Sequence, residues 1–254
     1  ALDLESQEHV PLRLYLLHGE GKAERIVLTV LNASDGPART NRAANSTAPE
    51  ASDPVQPLVY DRWLAAMRAA FPEELAEEVL AQPAASSIDE RAFGSLTQLL
   101  TTNRAVLAYM VPRGIGLGAW NPNSKKQIQI RRRFMLLGQT LEGMRVWDIR
   151  RAIQAIRSIR GVDDLPVCVQ AQGNLACDAL YASLFEDRIE RLDLWQLPGS
   201  HERGPDYLNV LRWLDIPQAV AMAAERSSVN LRQAEPGAWD YSQAVAKAIG
   251  GKGK

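Results

Sequence analysis

The sequence predicts an α/β fold: a mostly parallel sheet with helices on both faces and an antiparallel hairpin at the amino terminus. Three observations predict it. Residues 104–111 (RAVLAYMV), 165–171 (LPVCVQA) and 191–197 (RLDLWQL) are apolar runs of strand length, the composition of strands covered on both faces. Stretches with apolar residues at helical spacing separate them, and alternating strand and helix calls for right-handed crossovers and parallel pairing. Ahead of them, residues 10–18 and 25–32 flank the turn Gly19-Glu20-Gly21, which reads as a hairpin.

The remaining elements follow in order. Residues 33–57 are rich in Ser, Ala, Asn, Thr and Pro and nearly free of large apolar side chains, so they are expected to form an exposed loop within the domain. Residues 60–80 carry Trp63, Leu64, Met67, Phe71, Leu75 and Val79 at helical spacing, interrupted by Pro72, and 88–100 repeat the pattern. Helices are predicted over 127–137, with Phe134 toward the core, and over 146–159. Another is predicted over 175–185 after the second central strand. Residues 205–214 and 217–225 open with proline near a first turn and read as helices, 228–232 as a short last strand, and 239–249 as a closing helix. The tail 250–254 is low in complexity and expected to be flexible. Without an internal repeat, residues 1–254 read as a single domain.

Composition narrows the functional classes. The chain has 254 residues, 46% hydrophobic, enough for a substantial core. With 29 Lys+Arg against 30 Asp+Glu there is no overall field to recruit nucleic acid or an anionic membrane as the main partner, which leaves only local patches, and the basic stretch Lys125-Lys126 and Arg131-Arg132-Arg133 spreads around its predicted helix. No nucleic-acid partner is therefore expected. No apolar run reaches the length of a membrane span, and the amino terminus lacks the basic-then-apolar order of a signal peptide. The histidines His9, His18 and His201 show no metal-ligand spacing. Residues 113–118 (RGIGLG) lack the Lys-Ser/Thr ending of a phosphate loop, so neither metal nor cofactor is expected.

In an open α/β sheet, chemistry collects beyond the carboxyl ends of the strands. The sharpest strand-to-helix transition is Ala171-Gln172-Gly173-Asn174-Leu175-Ala176, the setting in which a hydrolase elbow would present its nucleophile. Three further pieces accompany it: Arg113-Gly114-Ile115-Gly116 after a central strand, Asp148-Ile149-Arg150-Arg151-Ala152-Ile153, and Leu184-Phe185-Glu186-Asp187-Arg188-Ile189. Together they make the chain resemble the α/β-hydrolase superfamily, and within it the acetyl-xylan-esterase-like carbohydrate esterases. The resemblance implies that the nucleophilic serine falls on Gly173, or on Ala171 in the alternative alignment, and neither side chain is a nucleophile. It also implies a triad histidine near the carboxyl terminus, whereas no histidine follows His201.

The residues singled out are thus a degenerate elbow, Gln172, Gly173 and Asn174, and one candidate general base, His201. Ser200 beside it is a poor nucleophile, since neighbours in an extended segment point apart. Cys168 and Cys177 are expected to be buried and inert. Asp178 reads as a helix-surface charge and Asp148 as a first-turn or salt-bridging group.

The expectation is a domain that has lost its catalytic oxygen and serves a structural or accessory role beside another hydrolase domain. Trp195, Trp213 and Trp239 offer area for docking. The alternatives are an active carboxylesterase on acetylated carbohydrates and a carbohydrate-binding module with Trp120 or Trp195 as its stacking platform.

Overall fold

A computed structural model of the chain describes residues 1–19, 21–33, 59–81 and 88–249. Most of the expected 33–57 loop and all of the 250–254 tail lie outside them.

A seven-stranded sheet organises these residues, in the order β1 (Leu2–Gln7), β2 (Val10–Leu17), β4 (Ala105–Met110), β3 (Arg25–Val30), β5 (Val167–Gln172), β6 (Ile189–Trp195), β7 (Ser228–Arg232). From β4 to β7 every pairing is parallel, while β2 runs antiparallel to both β1 and β4. The helices are α1 (Tyr60–Met67), α2 (Ala76–Ala81), α3 (Glu90–Asn103), α4 (Ser124–Leu136), α5 (Leu141–Arg157), α6 (Asn174–Ser183), α7 (Ile216–Ala224) and α8 (Asp240–Ala248). α5 packs on α6, α6 on α7 and α7 on α8, while α1 packs on α3.

The elements follow from local chemistry. β4 is buried at all six positions, as its unbroken apolar sequence requires. The α5 helix starts where the Thr140 hydroxyl accepts from Gly143 N, and it presents Ile149, Ile153 and Ile156 to the core as fully buried side chains. α7 begins at Asp215 with a capping box completed by Gln218. At the other end of the sheet, Tyr15, Tyr60, Trp63 and Tyr109 form one ring cluster.

The hairpin is present, but its partners differ from those expected. β2 turns back on β1, not on β3, because RIVLTV of β3 has Ile26, Leu28, Thr29 and Val30 buried and fits only between two neighbours, β4 and β5. β1 escaped notice because LDLESQ is half polar and only one of its residues is buried, the pattern of an edge strand. Residues 205–214 do not form the predicted helix. Asn209 sits at φ 59° and only Val210–Arg212 closes a 3₁₀ turn, leaving Leu208, Leu211 and Trp213 exposed. Phe134 does not reach the core either: α4 buries no residue, and this ring rests half-buried against Trp120, centroids 5.4 Å apart.

Candidate functional site

The bend between β5 and α6 is held in an unusual conformation. Gly173 has φ 61° and ψ −131°, a region strained for any residue with a Cβ, and its N–H donates to Trp195 O at 2.9 Å. Space is not the obstacle, since a Cβ there would meet only Asn32 Nδ2, at 3.7 Å. Gly173→Ser should therefore fold while losing about 1–3 kcal/mol to backbone strain, measurable as a lower urea midpoint at unchanged slope. Ala171 is fully buried inside β5, whereas Gly173 at the apex of the bend is half-buried.

Side-chain amides occupy the carboxyl edge around this bend. Gln172 Nε2 donates to Gln196 Oε1 at 2.8 Å, and Gln196 Nε2 donates to Gln233 Oε1 at 3.0 Å, linking the ends of β5, β6 and β7. Gln196 and Gln233 both adopt left-handed backbone (φ 50° and 51°). Asn32, beyond β3, donates weakly to Gln172 O at 3.4 Å, and the Asn174 side chain is exposed beside it. Gln196 and Gln233 were missed in the sequence; the available signal was a glutamine just past or at the end of three successive parallel strands.

His201 lies in the loop between β6 and α7, and both of its ring nitrogens are engaged internally. Nε2 is 2.8 Å from Tyr181 Oη and Nδ1 is 3.1 Å from Pro205 O. Because a carbonyl can only accept, Nδ1 carries the proton and Nε2 accepts from the tyrosine. Its backbone N–H donates to Asp215 Oδ1 at 2.7 Å. Asp215 spends its carboxylate on helix capping; burial works to raise its pKa, but hydrogen bonds from Ser200, His201 N and Ile216 N hold it lower. Ser200 Oγ accepts from Glu202 N at 3.1 Å within the same turn. None of the hydrogen bonds or ring contacts of His201 among the described residues reaches 172–174.

The pieces that carried the resemblance do converge. Asp148 is fully buried and accepts from Arg113 Nε (2.8 Å), Arg113 N (3.1 Å) and Ser6 Oγ (2.5 Å), and Arg113 Nη1 donates to Gln7 at 2.9 Å. The salt-bridging role expected of Asp148 is the one observed. Gly116 of the same turn has φ 57°, and a Cβ there would lie 2.8 Å from the Tyr60 ring, so this position admits only glycine.

Asp178 is not the surface charge that the sequence suggested. It is fully buried, Oδ1 accepts from Tyr207 Oη at 2.5 Å, and Oδ2 has no hydrogen-bond partner among the described residues. Burial pushes its pKa up to about 8 against the opposing pull of Tyr207 and Arg145. Helical position alone cannot distinguish this aspartate from a solvated one; the covering group, Tyr207, is 29 residues away. Both cysteines are buried, and burial raises the Cys168 thiol to about 11 and Cys177 well above its ordinary value, as expected for inert thiols.

Among the described residues no group of three or more His, Cys, Asp or Glu is arranged to hold a metal ion, and no helix is long and apolar enough to cross a membrane. Of the tryptophans, Trp239 is buried, Trp195 half-buried, Trp120 leans on Phe134, and Trp213 is 84% exposed.

No protein-family model and no curated protein matches the chain. Solved structures do. A protein described as a candidate acetyl xylan esterase from Bacteroides fragilis NCTC 9343 superposes with a TM-score of 0.59 at 10% identity, over 98% of this chain and 62% of that one. An acylaminoacyl peptidase from Pyrococcus horikoshii superposes with a TM-score of 0.54 at 11% identity, over 99% of this chain and 35% of that one. The chain thus spans less than two thirds of either structure, and what it shares with them is the α/β-hydrolase fold.

Proposed function

We propose that this chain is a non-catalytic domain of α/β-hydrolase fold, structural or accessory to a hydrolase domain. The observation that carries this reading is Gly173: the bend keeps the strained geometry suited to presenting a nucleophile, and no side chain is there to present. The first-turn N–H groups of α6 still face the bend, but transition-state stabilisation without an attacking oxygen leaves most of the rate behind. His201, with its ring nitrogens bound to Tyr181 and Pro205, supports the same conclusion.

A fluorophosphonate probe is expected to leave the chain unlabelled, and p-nitrophenyl acetate and acetylated xylo-oligosaccharides to hydrolyse at the buffer rate. A rate clearly above buffer that His201→Ala abolishes would sink this reading in favour of an active carboxylesterase.

The row of amides favours a second reading, a binding surface for a neutral polar ligand such as a carbohydrate. Gln172, Gln196 and Gln233 offer donors and acceptors without charge. The half-buried Trp195 and the Phe134-backed Trp120 make weaker stacking platforms than that reading first supposed. Titration calorimetry with xylo-oligosaccharides tests it; binding heat that Gln196→Ala leaves unchanged would count against it.

A further inference from the structure

The α4 helix is built against its own stability. It buries none of its 13 residues, and only Ile130, Arg131 and Phe134 turn partly inward. Arg131 bonds to Glu142, approaches Asp206 at 3.7 Å, and together with the Phe134–Trp120 contact fastens the helix to the domain. On the outside, Leu136 and the adjoining Leu137 are 86% and 75% exposed, and Ile128 is 50% exposed. Lys125 and Lys126 stand in the first turn, where the helix dipole disfavours cations. No carboxylate occurs between 124 and 137 to offset them, and Lys125, Lys126, Arg132 and Arg133 have no ion-pair partner among the described residues. An unpaired cationic surface and exposed leucines are both costs in water. A partner that is negatively charged and also accepts apolar side chains removes both.

The arrangement narrows the partner further. Residues seven apart share a line along a helix, so Ile128 and Met135 form one line, Lys125 and Arg132 the next, and Lys126 and Arg133 another, with Leu136 and Leu137 between and beside them. Cations and apolar chains are interleaved over a convex surface. A nucleic-acid backbone would satisfy the cations and leave the leucines in water. A folded protein partner would need fixed pockets matched to each chain. A fluid bilayer interface takes both kinds, with phosphates at the cations and leucines at the acyl boundary. Asp206, 3.7 Å from Arg131 of α4, lies two residues ahead of the 208–213 segment, which exposes Leu208, Leu211 and Trp213, an indole suited to headgroup depth.

We propose that α4 and the 208–213 segment form a peripheral docking surface for an anionic phospholipid membrane. The full chain should cosediment with vesicles that are one-third phosphatidylglycerol in phosphatidylcholine at least about tenfold more strongly than with phosphatidylcholine alone, and raised salt should weaken the binding. Reversing Lys125, Lys126, Arg132 and Arg133 to glutamate should lower that partitioning by at least about tenfold. Leu136→Ser with Leu137→Ser should lower it severalfold at unchanged net charge. Because α4 buries no residue, both variants should unfold at the parent temperature, which circular dichroism checks.

Equal or absent binding to the two vesicle types overturns the proposal, as does a charge-reversed variant that binds like the parent. Tighter binding to duplex DNA than to vesicles, indifferent to the leucine changes, would assign the surface to nucleic acid instead. A dimer seen by light scattering and dissociated by the leucine changes would assign it to a second copy of the chain.

Discussion

Asp148→Ala is expected to cost about 3–5 kcal/mol, the largest single-site loss anticipated here, because it strands the Arg113 guanidinium in the interior. Arg113 is 7% exposed and Asp148 fully buried, and the carboxylate receives donors from Arg113 and Ser6. These contacts tie three distant stretches together: the end of β1, the turn after β4 and the middle of α5. Trp147 reinforces the junction by donating from Nε1 to Ser6 O at 2.9 Å. Against a total stability of about 5–15 kcal/mol for a typical domain, the loss would leave the variant near its unfolding threshold. Urea unfolding of Asp148→Ala, Arg113→Met and the double variant measures it. The double variant should lose much less than the sum of the single ones, since both charges leave together. A cost below about 1 kcal/mol for Asp148→Ala would mean that the pair is screened like a surface ion pair.

The second large effect depends on pH. Asp178 has a folded pKa of about 8, far above the ordinary carboxyl range, so the folded chain retains a proton that the unfolded chain releases near pH 4. Stability from this site is therefore complete below the ordinary carboxyl pKa and is lost as pH rises through 8. Across that window the loss is on the order of 5 kcal/mol, an upper figure because the neighbouring charges relax. The groups facing it are Tyr207, with Arg145 and Glu142 of α5 and Arg131 of α4. Asp178→Asn keeps an acceptor for Tyr207 and cannot ionise. Its Tm should match the parent at pH 4 and exceed it by an increasing margin from pH 6 to pH 9. A constant offset across that range would refute an ionisation confined to Asp178.

Arg145 lies between the two sites, donating to Arg113 O at 3.1 Å and interacting electrostatically with Asp178. His201, Tyr181, Tyr207 and Asp178 form a connected set: His201 bonds to Tyr181, the two tyrosine rings lie 5.0 Å apart, and Tyr207 bonds to Asp178. In this set His201 joins the 198–215 loop to α6 through its bond to Tyr181. The glycine at the bend and the internally bonded ring of His201 are thus independent observations, and both support the proposed non-catalytic role.

Much of the architecture was legible in the sequence because the cause is local. The continuous apolar strand of β4, the alternation of strand and helix after it, and the bend at Gly173 each depend on residues within a few positions of one another. The residue at the bend is equally local, since Gly173 brings no side-chain oxygen in any fold. The partner of β2 was not decided locally: RIVLTV is compatible with a hairpin, and only competition for the doubly covered place between β4 and β5 assigns it there. Asp178 and an exposed helical aspartate look alike along the chain, and it is Tyr207, brought over from another segment, that closes one of them off from water. Nε2 of His201 likewise met Tyr181 only when the loop folded back onto α6. Composition and spacing act over a turn or a strand, whereas strand order, burial of charge and a histidine's neighbours are settled by contacts between segments tens of residues apart, where the free energy of burial is collected.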